Sequence, residues 1–180
     1  MALKATIYKA NLQVSDLDRH YYAEHALTIA RHPSETDERM MIRVLAFALH
    51  ADEALGFGKG LSTEDEPDLW LKDLTGAVRL WIDVGQPDDR RLLKACGRSE
   101  KVVVYSYSAT NDVWWRQLAS KVDRARNLQV LRVPAQASAA LAALAQRTMQ
   151  LQCTIQDGQI WLGSESETVQ IELQELKPAA

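Results

Sequence analysis

The sequence predicts a mixed α+β protein: an α/β middle of alternating helices and strands, with antiparallel strands contributed by both ends of the chain. Three observations predict it. Residues 6–14 and 21–31 alternate in polarity, as half-solvated strands do. Residues 151–173 alternate again around Asp157-Gly158, a strong hairpin signal. Between these ends, helix-period stripes take turns with short apolar runs. The order reads ββ, α, (β)ββ, α, β, α, β, α, βββ. It fits one domain over residues 1–180, with a core at about 34–133 and end strands at 5–31 and 151–174 pairing into an added antiparallel sheet.

Each element has a local reason. Tyr8, Ala10, Leu12 and Val14 share one strand face, with Ile7, Lys9, Asn11 and Gln13 on the other. Pro33 stops the second strand, and Ser34 is expected to cap a helix over residues 35–55, with Asp37 at the capping-box position. Met41, Val44, Leu45 and Ala48 form its apolar stripe. Gly56-Phe57-Gly58-Lys59-Gly60 lacks the Gly-Lys-Ser/Thr ending of a phosphate loop and reads as a helix stop leading into an edge strand. Residues 68–72 and 78–85 form a hairpin turning at Asp73-Leu74-Thr75-Gly76. Pro87-Asp88-Asp89 opens the next helix, its acids placed where the helix dipole favours them. A strand at 101–108, a helix at 112–124 with Trp114, Trp115, Leu118 and Val122 inward, and a strand at 128–133 follow. Ala137, Leu141, Leu144 and Met149 mark an alanine-rich helix, and residues 175–180 read as a frayed tail.

Composition bounds the function. With 21 Lys and Arg against 24 Asp and Glu, the net charge of −3 excludes a broadly basic DNA binder and leaves room for a local basic groove. MALKATIYKANLQV lacks the apolar region of a signal peptide, and no run reaches membrane-spanning length, so a cytoplasmic location away from membranes is expected. Cys96 and Cys153 are expected as buried thiols rather than a disulfide.

The chemistry concentrates in the central hairpin. Asp83 sits among apolar strand residues, where a carboxylate is costly unless paired, hydrogen-bonded or bound to a metal. Asp68 opens the partner strand, so the two carboxylates converge at one edge. A divalent cation, Mg²⁺ or Mn²⁺, would relieve their repulsion and suits a phosphodiesterase site. The plainer reading satisfies Asp83 by a salt bridge to Arg79 or to a basic residue of the following helix.

From the first helix to the strand near Lys101, the chain resembles the core of the PD-(D/E)XK nuclease superfamily, with Pro67-Asp68 at the PD position and Asp83-Val84-Gly85 at (D/E)XK. The resemblance implies a restriction-endonuclease-like α-β-β-β-α-β core with a mixed central sheet. Over nearly its full length the chain more closely resembles the YaeQ family, through ALKATIYKA, LTIARHPSETDERMMIRVLAF, DEPDLW, LWIDVG and RTMQLQCTIQDGQIWL. Gly85 stands where the superfamily's lysine belongs, and glycine can neither position water nor stabilise phosphate charge. Lys94 is the first candidate replacement, then Lys72 and Lys101. The resemblance implies Asp68 and Asp83, joined by Glu38, as metal ligands. Arg90 and Arg91 are candidate contacts to a nucleic-acid backbone, although such residues are more often an exposed helix face. Trp114-Trp115 reads as core, and the four histidines lack zinc spacing. Three functions follow: a metal-dependent phosphodiesterase, a catalytically inactive nucleic-acid- or transcription-associated binding protein on the same frame, or a protein-interaction module. The expected assembly is a monomer or a weak homodimer.

Overall fold

The computed structural model describes residues 4–180. Strands are β1 (Thr6–Asp16), β2 (Tyr21–Arg31), β3 (Leu55–Phe57), β4 (Leu69–Lys72), β5 (Val78–Val84), β6 (Ser99–Ser106), β7 (Leu128–Arg132), β8 (Thr148–Gln156), β9 (Gln159–Gly163), β10 (Thr168–Ile171) and β11 (Gln174–Lys177). The α-helices among the described residues are α1 (Asp37–Leu49), α2 (Asp89–Arg98), α3 (Asn111–Val122) and α4 (Ala135–Ala143). Contacts divide them into two compact units. One takes the described residues up to Ala51 with Gln136–Glu172; the other takes Asp52–Ala135 and Leu173–Ala180. The first helix of the expected six-element core lies in the first unit, with the terminal strands.

In the first unit the sheet order is β10-β9-β8-β1-β2. The end strands do share a sheet, but it is mixed rather than antiparallel, because β1 and β8 run parallel from Lys9 opposite Thr148 onward. A long connection, unlike a hairpin, lets the chain return to the end it started from. Leu12 and Val14 are fully buried on β1, with Leu27 and Ile29 of β2 and Leu151 and Cys153 of β8 on the buried set. α1 is shorter than its stripe suggests. Its cap is Thr36, whose hydroxyl accepts from Arg39 N at 3.1 Å, not Ser34, which is engaged with His32. Met149 belongs to β8 instead of α4, since its strand alternation continues back to Thr148.

In the second unit the order is β11-β7-β6-β5-β4-β3, with β5, β6 and β7 parallel. Trp81, Leu92, Ala95, Val102, Val104, Leu118, Val122, Leu128 and Val130 make its core. The hairpin turn follows from its residues: Asp73 accepts from Thr75 Oγ1 (2.6 Å), Thr75 N (2.8 Å) and Ala77 N (3.0 Å), while Gly76 supplies φ +87°. The Thr75 hydroxyl, with these backbone donors, holds the Asp73 carboxyl below its ordinary value. The tail does not fray. β11 pairs with β7, and Lys177 Nζ donates to Ala125 O (2.7 Å) and Leu128 O (3.2 Å). These bonds tie the tail to the turn between α3 and β7 and to the first residue of β7. No described helix is long and apolar enough to cross a membrane. Both cysteines are free thiols, and burial pushes the Cys153 thiol up to about 12.

Candidate functional site

The site grows from β4, β5 and α2. Register pairs Leu69 with Ile82 and Trp70 with Trp81, which brings Asp68 and Asp83 to the same end of the hairpin. Asp68 is buried: its Oδ2 accepts from Val84 N at 2.8 Å, and its main-chain N–H donates to Ile82 O at 3.0 Å. The glycine-rich loop lies close against the Pro67-Asp68 segment. Gly60 sits at φ +47°, where an added Cβ would overlap the Asp68 side chain, and a Cβ at Gly58 would strike the Pro67 carbonyl.

Asp83 is paired, and its partner is Arg91, not Arg79. Arg91 Nε donates to Asp83 Oδ2 at 2.8 Å and Nη2 to Oδ1 at 3.0 Å, a bidentate fork. The same guanidinium donates to the carbonyls of Glu64 (2.8 Å) and Glu66 (3.0 Å), so it fastens the loop ahead of β4 to β5. α2 aims it. The Asp88 side chain caps that helix through Arg91 N at 2.8 Å, and Leu92 and Ala95 bury its inner face. Arg79 instead lies 3.7 Å from exposed Glu100.

Electrostatics at Asp83 are contested. Burial pushes its carboxyl above the ordinary value, Arg91 opposes that, and the negative charge of Asp68 adds to it. The buried Trp81 indole N–H also favours the ionised form of Asp83.

A cleft of about 390 Å³ opens beside this pair, lined by Glu64, Trp81, Asp88, Arg90, Arg91, Lys94, Ala95 and Arg98. Lys94 is exposed and reaches Asp65 at 3.5 Å. Arg90 makes no ion pair among the described residues. Arg98, which sequence reasoning missed, lies with its guanidinium 5.7 Å from the Trp81 ring centre. Its spacing of four from Lys94 and eight from Arg90 was the available signal. Lys72 packs 3.6 Å over Trp70, and Lys101 is exposed on β6. Glu38 lies in the first unit and accepts from Ser138 Oγ at 3.1 Å.

Among the described residues, no three His, Cys, Asp or Glu side chains gather as metal ligands. Both Asp83 oxygens are taken by Arg91 and one Asp68 oxygen by Val84 N–H, so the pair as arranged does not fit a cation. The guanidinium stands in the cation's role.

Two mixed sheets with four described α-helices define a mixed α+β protein with a charged cleft along one short helix. The chain belongs to the YaeQ family, whose model, described as YaeQ protein, matches residues 1–173. "Uncharacterized protein YaeQ" of Salmonella typhi is 49% identical over 96% of both chains, and its Escherichia coli K12 counterpart is 47% identical over the same shares. The crystal structure of the YaeQ protein from Xanthomonas axonopodis pv. citri matches with a TM-score of 0.92 at 50% identity, covering 96% of this chain and 98% of that one. That of Pseudomonas syringae YaeQ matches at 0.93 with 37% identity over 97% of each chain.

Proposed function

We propose that this chain binds the phosphate backbone of a nucleic acid along α2 in the cytoplasm and leaves it intact, on a frame related to the PD-(D/E)XK nucleases. The observation that carries this reading is the Asp83–Arg91 fork. It fills with an internal cation the position a hydrolytic metal would need, while Arg90, Lys94 and Arg98 present further positive charge to the same cleft. Arginine suits this task, because its planar fork matches phosphate oxygens and it stays charged. Gly85 supports the absence of hydrolysis, since no amine stands two residues beyond Asp83. The test is fluorescence anisotropy of labelled oligonucleotides at low salt, followed by gels after incubation with Mg²⁺. Binding that weakens with salt and returns an uncut strand is expected; cleavage that disappears in Asp83→Asn would overturn it.

The juxtaposition of Asp68 and Asp83 favours a second reading, in which Arg91 withdraws and the two acids hold Mg²⁺ or Mn²⁺, with Lys94 as the amine of a phosphodiesterase. The ion would supply an activated water and stabilise phosphate charge. Mn²⁺-dependent broadening of NMR signals from Val84 and Gly85 supports this second reading; unchanged spectra reject it.

A further inference from the structure

We propose that the occupant of the α2 cleft is a single strand, held by its backbone with the bases turned away from the protein; this rests on the phosphate-binding reading above. Three features point there. First, Arg90, Lys94 and Arg98 are exposed and spaced four residues apart, so they form one row along α2 with about 6 Å between steps. That spacing suits successive phosphates of one extended chain. A duplex presents a second row of phosphates across a groove, and the loop beside this row carries Glu64, Asp65 and Glu66 instead of cations.

Second, the borders of the row are acidic. Glu64, Asp65 and Glu66 line the loop that Arg91 fastens, and Asp88 and Asp89 stand at the start of α2. These carboxylates repel a second phosphate backbone laid beside the first. The chain's net charge of −3 works the same way against the denser charge of duplex DNA. Lys94 is not diverted by its contact with Asp65, because both side chains are exposed and such pairs are weak.

Third, the aromatic floor is closed. Trp81 is 2% exposed, and the guanidiniums of Arg91 and Arg98 lie 5.6 and 5.7 Å from its ring centre. It holds the two guanidiniums in place and offers no face for a base to stack on. Recognition therefore ignores base identity.

The experiment titrates full-length protein into three labelled probes: oligothymidylate, oligoadenylate of equal length, and a hairpin duplex. The two single strands are expected to bind alike and at least tenfold tighter than the duplex. Their log–log salt slope is expected near −2, as three phosphate contacts give on a single strand. The triple variant Arg90→Gln/Lys94→Gln/Arg98→Gln is expected to weaken binding at least tenfold with an unchanged thermal midpoint. If the duplex binds as well as the strands, and the triple variant abolishes both, the single-strand inference falls while the backbone-binding reading stands. If no probe binds at low salt, the backbone-binding reading itself falls. Strand binding that survives in the folded triple variant overturns the placement on α2.

Discussion

The two units each bury an acid against arginine, and the difference between the two arrangements separates packing from presentation. In the first unit Glu35 is shared: Arg39 Nη1 reaches it at 2.5 Å, and Arg43 donates to both of its oxygens at 2.9 and 2.6 Å. Arg43 is 5% exposed and also holds the Ala30 carbonyl, so that network is closed. In the second unit Asp83 is as deeply buried, yet Arg91 keeps 24% of its side chain exposed and faces an open cleft. The same ion-pair chemistry locks a helix to a strand in one unit and holds a charged side chain at a surface in the other.

The largest effect should come from breaking the closed network. Glu35→Ala leaves two arginines without their acid, one of them fully enclosed, and is expected to cost about 3–5 kcal/mol in urea unfolding. Arg91→Ala should cost less, about 2 kcal/mol, because Asp83 can shed its charge by taking up a proton and water reaches the vacated space. Equal losses would show that the two pairs serve the same purpose. Nucleic-acid binding should fall with Arg91→Ala and stay intact in whatever fraction of Glu35→Ala remains folded.

A smaller effect concerns pH. The Asp83 carboxyl is raised in the folded protein, so the fold holds a proton that the unfolded chain has already released. The resulting stabilisation is present below the unfolded value and is lost as pH rises through the folded one. Stability measured against Asp83→Asn should therefore decline for the natural protein as pH rises above the ordinary aspartate range. A rise over that interval would mean that Arg91 outweighs burial.

Much of this was legible in the residues. Gly76 and Asp73 announce the central turn, strand alternation places Asp83 on its face, and Asp88 marks the start of α2. Asp83 is conspicuous as a carboxylate among apolar neighbours, but its partner is not, because Arg90, Arg91 and Lys94 all lie within reach on paper. Only the packing of Leu92 and Ala95 decides which of them turns inward. The glycines at 58 and 60 look like a stop signal, since the Pro67-Asp68 backbone they accommodate is distant in sequence. The parallel pairing of β1 with β8 and the docking of β11 depend on long connections that carry no local signature.

That central pairing of β1 with β8 also sets the order in which the molecule can be made. Ile7 and Arg147 are joined across 140 positions, so a strand released early during translation must wait, unpaired on that edge, until most of the polypeptide has followed. Meanwhile β1 can close only with β2, its hairpin neighbour. Such distant closure slows folding and leaves a sticky border exposed to other nascent chains. The polar alternation of Lys9, Asn11 and Gln13 helps keep that border soluble during the wait.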